Sequence, residues 1–144
     1  MIYTKQTKNA MKLAFEKHKN QIDKSGLPYI FHPFHLAEQM DDELSTTVAL
    51  LHDVVEDTDV TFNDLSQMGF SEDVIDTLKY LTHNKSIPYM DYIKHISENK
   101  TATKVKIADL KHNSDLNRLN KITDKDLERV KKYRESIEYL ENKH

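Results

Sequence analysis

Apolar residues recur three or four positions apart along most of the chain, which is the spacing of one face of an α-helix. This spacing occurs in six segments: residues 10–15, 48–55, 74–81, 89–96, 105–119 and 124–142. No run alternates between apolar and polar residues for long enough to indicate a strand, and no internal repeat is present. The pattern therefore predicts an all-α fold of about eight short helices.

Several residues mark where these helices begin and end. Thr61 with Asp64 and Thr123 with Asp126 have the spacing of reciprocal N-terminal caps, and Ser71 precedes an acidic first turn. Runs containing Gly, Pro or Ser interrupt the helical pattern in three places, and we expect loops there: residues 24–28, 68–71 and 84–88.

Length and composition limit the classes of protein that fit. The chain has 144 residues, enough to bury a core, and we expect one domain over residues 1–144. Acidic and basic residues are interspersed, and the net charge is −3, so no global basic field indicates a nucleic-acid partner. We therefore expect no nucleic-acid partner.

The same composition gives expectations about compartment. The chain has no cysteine, which rules out disulfides and thiolate metal sites and agrees with a reducing cytoplasm. Charges interrupt the first twenty residues, so they do not read as a signal peptide, and no window has the apolar run of a membrane span. We expect a cytoplasmic protein with no membrane partner.

The stretch ALLHDVVEDT, residues 49–58, places one histidine and three carboxylates after a buried helical stripe. On a continuous helix, His52 would lie above Glu56 and Asp53 above Asp57, because residues four apart share a face. Closely spaced carboxylates repel one another, and a divalent cation with histidine and carboxylate ligands would offset that repulsion. A solvated acidic helix end with a structural histidine is the alternative reading.

Two further stretches favour the metal reading. In PYIFHPFHLAEQM, His32 precedes Pro33, which suits the first turn of a helix and places His32 at or beside the N-cap. In KVKIADLKHNSDLNRL, Asp109 shares a helical stripe with Val105, and buried acids rarely lack a partner. His35 and His112 are weaker candidates; His35 follows His32 by three and could be a ligand, but a surface imidazole is the favoured interpretation.

In order and spacing, HPFHLA, ALLHDVVEDT and KIADLKHN resemble the HD superfamily of metal-dependent phosphohydrolases. The similarity, from about Ala10 to Leu119, is greatest to the hydrolase domain of RelA/SpoT-type alarmone enzymes and their small stand-alone relatives. It implies a helical bundle around one Mn²⁺ or other divalent ion. The residues that it assigns are the metal ligands His32, His52, Asp53 and Asp109, and the pair that positions or deprotonates water, Glu56 and Asp57.

The family pattern HxGQxRKSGxPYIxHP is matched here by HKNQIDKSGLPYIFHP. The resemblance implies substrate contacts from four residues: Lys24, Ser25, Tyr29 and Asn113. Asp23 stands where the family has an arginine that meets the purine, and Leu116 stands where a threonine contacts the nucleotide. Metal and water chemistry are therefore expected to be intact, with nucleotide specificity altered.

The function expected is Mn²⁺-dependent hydrolysis of a nucleotide or related phosphorylated small molecule. Guanosine 3′,5′-bis(diphosphate) 3′-pyrophosphohydrolase is the specific candidate; in alarmone hydrolases the scissile bond joins the ribose 3′ oxygen to a pyrophosphate. The alternative is a non-catalytic regulatory module that binds metal and nucleotide, although spare acids such as Glu56 and Asp57 have no use there. A structural helical domain without metal is a third interpretation. The sequence gives no prediction of the oligomeric state.

Overall fold

The computed structural model describes residues 1–143 and consists of helices joined by short loops. Within that range we number nine α-helices and find no strand beyond one isolated bridge between Ile22 and Pro28. The helices are α1 Lys5–His18, α2 Phe31–Glu38, α3 Glu43–Leu51, α4 Val54–Asp57, α5 Phe62–Gln67, α6 Glu72–Leu81, α7 Tyr89–Ile96, α8 Lys100–Asn113 and α9 Asp124–Lys143, with a 3₁₀ turn at Leu116–Arg118. The predicted all-α class is confirmed; residue 144, the end of the expected domain, lies outside the described residues.

Helix α3 lies at the centre of the packing and contacts α1, α2, α6 and α8. Every residue from 45 to 51 is buried, so this helix is enclosed on all sides rather than amphipathic. Its small hydroxyl residues are tolerated there because they bond to the backbone of the preceding turn. Thr46 donates to the Asp42 carbonyl at 2.6 Å, and Thr47 donates to the Glu43 carbonyl at 2.8 Å.

The predicted helix starts are present. Thr61 and Asp64 cap each other reciprocally at the start of α5, and the Ser71 side chain accepts from Val74 N–H at the start of α6. Thr123 and Asp126 make the same exchange beside α9. The three predicted loops fall outside the helices, and Gly26 adopts a φ of +83° in the first of them, a conformation that favours glycine.

Two of the helical predictions require correction. The stretch 49–58 is not one helix, because α3 ends at Leu51 and α4 begins at Val54. At the break Asp53 has φ −108° and ψ 1°, outside the α region. The segment 105–119 is likewise divided, since α8 ends at Asn113 before the 3₁₀ turn. Both breaks change which side chains share a face.

The long helix α9 packs on α8 and α7 through a narrow stripe. Val130 and Leu140 are buried in this stripe, whereas Leu127 is 49% exposed and does not belong to it. None of the helices in residues 1–143 combines the length and apolar character that crossing a membrane requires.

Candidate metal centre and adjoining cleft

Three side chains from three helices meet below the surface. His32 comes from the first turn of α2, His52 directly follows α3, and Asp109 lies on α8. Their exposed fractions are 3%, 5% and 5%, and one potential ligand atom from each lies within 4.8 Å of the others. His32 Nε2 is 2.8 Å from Asp109 Oδ1, and His52 Nε2 is 3.5 Å from the same oxygen. This cluster could hold a metal ion.

The segments that supply these residues also decide their orientation. His32 is the second residue of α2 rather than its N-cap, because the helix already begins at Phe31. His52 keeps α-helical dihedrals after the end of α3, whereas Asp53 departs from them, and the two side chains approach each other. His52 Nε2 lies 3.0 Å from Asp53 Oδ2, and the Tyr29 hydroxyl donates to that same carboxylate oxygen.

The polar atoms around His52 form an arrangement that suits a cation. His52 Nδ1 lies 2.7 Å from the Ala49 carbonyl, which can only accept, so Nδ1 carries the proton. The buried Nε2 atom has no hydrogen-bond partner within residues 1–143, yet two carboxylates lie within 3.5 Å of it. Burial lowers the pKa of His52, but Asp53 and Asp109 more than offset this and hold it well above the ordinary value. A divalent cation would satisfy the same arrangement.

Lys106 balances the charge of Asp109. Its ammonium lies 3.0 Å from Asp109 Oδ2 and 5.4 Å from the centroid of the Tyr92 ring. Burial opposes ionisation of Asp109, but Lys106 and the two histidines hold the pKa of that carboxyl well below its usual range. Lys106, one of the basic residues available for an anionic substrate, is therefore engaged with a candidate metal ligand.

Two residues that follow Asp109 on α8 also contact the cluster. Asn113 donates from Nδ2 to Asp109 Oδ1 at 3.1 Å, so this expected substrate contact also supports a candidate ligand. His112 Nδ1 lies 2.7 Å from His32 Nδ1, and the His35 ring lies 4.1 Å from the His112 ring. The sequence reading underrated His112, although its position three residues after Asp109 was a usable signal.

Glu56 and Asp57 lie on α4 beside the cluster and are not part of the three-residue group. Glu56 Oε1 accepts from the His83 backbone N–H, and Asp57 Oδ2 accepts from Gln21 Nε2 at 3.3 Å. Partial burial and the charge of Asp53 raise the pKa of both carboxyl groups above their ordinary values. Raised pKa values in acids beside a metal cluster are typical of groups that exchange protons.

A cleft of about 370 Å³ opens next to the cluster. Its volume is within the range of about 300–1,000 Å³ found for small-molecule sites. Its lining residues are Gln21, Ile22, Asp23, Lys24, Tyr29, His32, Asn113, Asp115, Arg118, Leu119, Arg129 and Tyr133. Three of the four predicted substrate contacts line it, and His32 joins it to the metal cluster.

The fourth predicted contact, Ser25, does not line the cleft. Its hydroxyl donates to the Arg118 carbonyl, and its own carbonyl accepts from Asn120 Nδ2 at 3.3 Å, so it ties the 24–28 loop to the segment after α8. Leu116 begins the 3₁₀ turn and also lies outside the cleft lining. The sequence reading missed Gln21, Arg129 and Tyr133, since nothing in the local pattern places them beside His32.

The chain was compared with known proteins, and no family model matches it. It is 39% identical over 121 residues to guanosine-3′,5′-bis(diphosphate) 3′-pyrophosphohydrolase MESH1 of Danio rerio, covering 73% of this chain and 66% of that protein. It is 34% identical over 123 residues to the MESH1 protein of Mus musculus, covering 76% of this chain and 68% of the relative. The chain thus spans 66% and 68% of these relatives, just under two thirds of the first.

One solved structure matches almost the whole chain. It is described as "A metazoan ortholog of SpoT hydrolyzes ppGpp and plays a role in starvation responses". The two share 25% sequence identity with a TM-score of 0.77, over 97% of this chain and 87% of the other.

Proposed function

We propose that this chain, which belongs to the family of guanosine-3′,5′-bis(diphosphate) 3′-pyrophosphohydrolases, hydrolyses guanosine 3′,5′-bis(diphosphate) at its 3′ position. The observation that carries the proposal is the buried cluster of His32, His52 and Asp109 beside the cleft that His32 also lines, which we now call the nucleotide cleft. The cleft offers space for a nucleoside next to the place where a phosphorus atom would react. Two proteins named for this activity match the chain over 73% and 76% of its length.

The cluster would hold a divalent ion, for which we propose Mn²⁺, through His32, His52, Asp109 and the neighbouring Asp53. Imidazole nitrogen and carboxylate oxygen are donors that suit such an ion, and His52 Nε2 faces the carboxylates of Asp53 and Asp109, with which it would share the ion. When bound, a divalent ion lowers the pKa of a bound water and supplies hydroxide near neutral pH. Lys106 keeps Asp109 ionised and so ready to bind.

In the proposed reaction, a water oxygen attacks the phosphorus atom that is bonded to the ribose 3′ oxygen. The bond between that phosphorus atom and the 3′ oxygen breaks. Glu56 accepts a proton from the attacking water, and Asp57 helps to position that water. The ribose 3′ oxygen leaves with a proton, so that the products are guanosine 5′-diphosphate and pyrophosphate. The raised pKa values of the two acids bring them closer to the working pH that general bases require.

Other residues of the nucleotide cleft would hold the substrate. Asn113 and Tyr29 lie between the metal cluster and the cleft and are placed to contact the 3′ phosphates. Lys24 lies at the rim, with its ammonium 3.9 Å from Asp126 Oδ1, and remains 63% exposed for an anionic group. We further propose that residues 1–144 act as one domain, and the absence of cysteine suits a cytoplasmic setting.

The direct test is incubation of the purified protein with guanosine 3′,5′-bis(diphosphate) and Mn²⁺, followed by chromatographic separation of the products. We expect guanosine 5′-diphosphate and pyrophosphate in equal amounts, and no reaction after treatment with a chelator. Binding of metal and nucleotide without any product would instead support the non-catalytic regulatory module. The Glu56→Gln variant serves as the matched control, since it preserves the shape of the side chain.

A further inference from the structure

Arg118 and Asp23 lie next to each other in the lining of the nucleotide cleft. Arg118 follows α8 in the 3₁₀ turn, and Asp23 precedes the 24–28 loop. Arg118 Nη2 lies 3.8 Å from Asp23 Oδ2, and both side chains are partly buried, at 25% and 19% exposed. The two segments are tied together by the hydrogen bond from the Ser25 hydroxyl to the Arg118 carbonyl.

The guanidinium of Arg118 is fixed along its edge. Nη1 donates to the His112 carbonyl at 2.9 Å and to Asn113 Oδ1 at 3.2 Å, while Nη2 is directed at Asp23. These partners occupy the Nη1 donors and hold the plane of the group. Arg118 therefore presents a planar face of fixed orientation in the lining of the cleft.

Asp23 is held equally firmly. Its Oδ1 atom accepts from the Ser25 backbone N–H at 2.8 Å and from the Leu27 backbone N–H at 3.0 Å, which fixes the start of the 24–28 loop. Its Oδ2 atom is thereby aimed at Arg118. Asp23 therefore does not point freely into solvent, and an arginine at this position would lose both backbone hydrogen bonds.

The charges at this end of the cleft are locally balanced. Asp23 offsets Arg118, and Asp126, which lies 2.8 Å from Arg129 Nη2, offsets Arg129. A net neutral surface with a fixed planar cation favours an uncharged aromatic ring over a phosphate. The polyanionic part of a nucleotide would instead lie toward the metal cluster.

We propose that Arg118 stacks on the guanine base of the substrate and that Asp23 is the positioning residue that holds the guanidinium in place. The cleft would thus obtain its base-stacking guanidinium from the segment after α8, next to Asp23. This inference rests on the proposed function for the identity of the base. It restores guanosine recognition in a chain whose sequence alone indicated altered specificity.

The test measures binding rather than turnover, with Mn²⁺-loaded protein and isothermal titration calorimetry. The two probes are guanosine 5′-diphosphate and inorganic pyrophosphate, which differ by the guanosine moiety. Arg118→Ala is expected to weaken guanosine 5′-diphosphate binding about tenfold and to leave pyrophosphate binding within about twofold of the parent. Arg118→Lys, which keeps the charge but loses the planar face, should weaken guanosine 5′-diphosphate almost as much.

Asp23→Asn tests the positioning role, because an asparagine Oδ1 can still accept from Ser25 and Leu27 while the charge is removed. It should weaken guanosine 5′-diphosphate about threefold without weakening pyrophosphate. Arg134→Ala, at an exposed position on α9, is the matched control and should change neither ligand. Melting temperature and Mn²⁺ content identify a variant that fails to fold. If Arg118→Ala fails to fold, binding of the two ligands to Arg118→Lys tests the stacking assignment.

If Arg118→Ala weakens the binding of guanosine 5′-diphosphate and of pyrophosphate equally, Arg118 contacts phosphate. If Arg118→Lys binds guanosine 5′-diphosphate as tightly as the parent, Arg118 acts through its charge and not through its planar face. Either result overturns the stacking assignment. If the protein shows the expected ligand difference but releases no pyrophosphate from guanosine 3′,5′-bis(diphosphate), the proposed reaction fails and the assignment stands. If it releases pyrophosphate without that ligand difference, the assignment fails alone.

Discussion

The Nδ1 atoms of His32 and His112 lie 2.7 Å apart, and the two rings are parallel to within 2°. Burial lowers the pKa of His32, and burial together with the Arg118 charge lowers the pKa of His112 to about 4, so both rings are neutral near pH 7. One Nδ1 must then donate to the other. His32 Nε2 faces the ionised Asp109 carboxylate at 2.8 Å and carries the proton there. With Nε2 bound to a metal instead, a neutral His32 would have to donate from Nδ1 to His112.

We expect that His112→Ala will weaken Mn²⁺ binding about 10–100-fold, because His32 loses the partner that fixes its tautomer. His112→Asn should recover much of the affinity, since its side-chain oxygen can accept from His32 Nδ1. Titration with Mn²⁺ measures the effect, and His95→Ala, at a surface histidine paired with Glu98, is the control. Parental affinity in His112→Ala would show that His112 does not orient His32.

His52→Ala and Asp53→Ala should each lose bound metal and activity together. Both side chains meet at the break between α3 and α4, and neither has a substitute nearby in the cluster. Because a metal that binds only the folded state stabilises it, the rise in melting temperature on adding Mn²⁺ should also disappear. Unchanged metal content in both variants, measured by elemental analysis, would refute their assignment as ligands.

Glu56→Gln should retain the metal while lowering kcat by about 10²–10⁴-fold, the usual contribution of a general acid or base. The amide oxygen of the introduced glutamine can still accept from the His83 N–H, so the local structure should be preserved. Asp57→Asn tests the second acid in the same assay. Turnover within a few-fold of the parent would exclude Glu56 as the proton acceptor.

The same Glu56→Gln variant should be more stable than the parent in metal-free solution at neutral pH. Partial burial and Asp53 raise the pKa of Glu56 above 4.5, so the folded state holds this proton more tightly than the unfolded state. The resulting stability is fully present below the unfolded pKa and is lost as pH rises through the folded pKa. Melting temperatures should therefore differ by about 1–2 °C near pH 8 and converge near pH 4; a constant difference would contradict this origin.

Lys106→Met should lower the melting temperature of the metal-free protein, because the buried Asp109 carboxylate loses its nearest cation. Addition of Mn²⁺ should restore more stability to the variant than to the parent, since the added cation then replaces the missing charge. Thermal unfolding with chelator and with Mn²⁺ compares the two. Lys104→Met, on the same helix but paired with the exposed Asp41, is the matched control.

Local sequence patterns predicted the all-α fold class, the helix caps and the three residues of the candidate metal cluster. The 3.6-residue spacing predicted helices such as Tyr89–Ile96 with the correct bounds, and the pairs at Thr61 and Thr123 predicted real caps. The motifs around His32, His52 and Asp109 named the three residues that meet. Helix-forming spacing and capping depend on neighbours within one turn, so a single sequence contains them.

Long-range contacts decided the rest. The break between His52 and Asp53 depends on how α3 is enclosed. The contacts that complete the site join residues far apart in the sequence: Tyr29 with Asp53, His32 with His112, and Arg118 with Asp23. The sequence alone determined an all-α protein with metal-binding donors. It also showed Asp23 at the position where the family has an arginine, which predicted altered nucleotide specificity. Only the tertiary structure could show the Arg118 guanidinium beside Asp23, because side chains from distant segments become neighbours only when the helices pack.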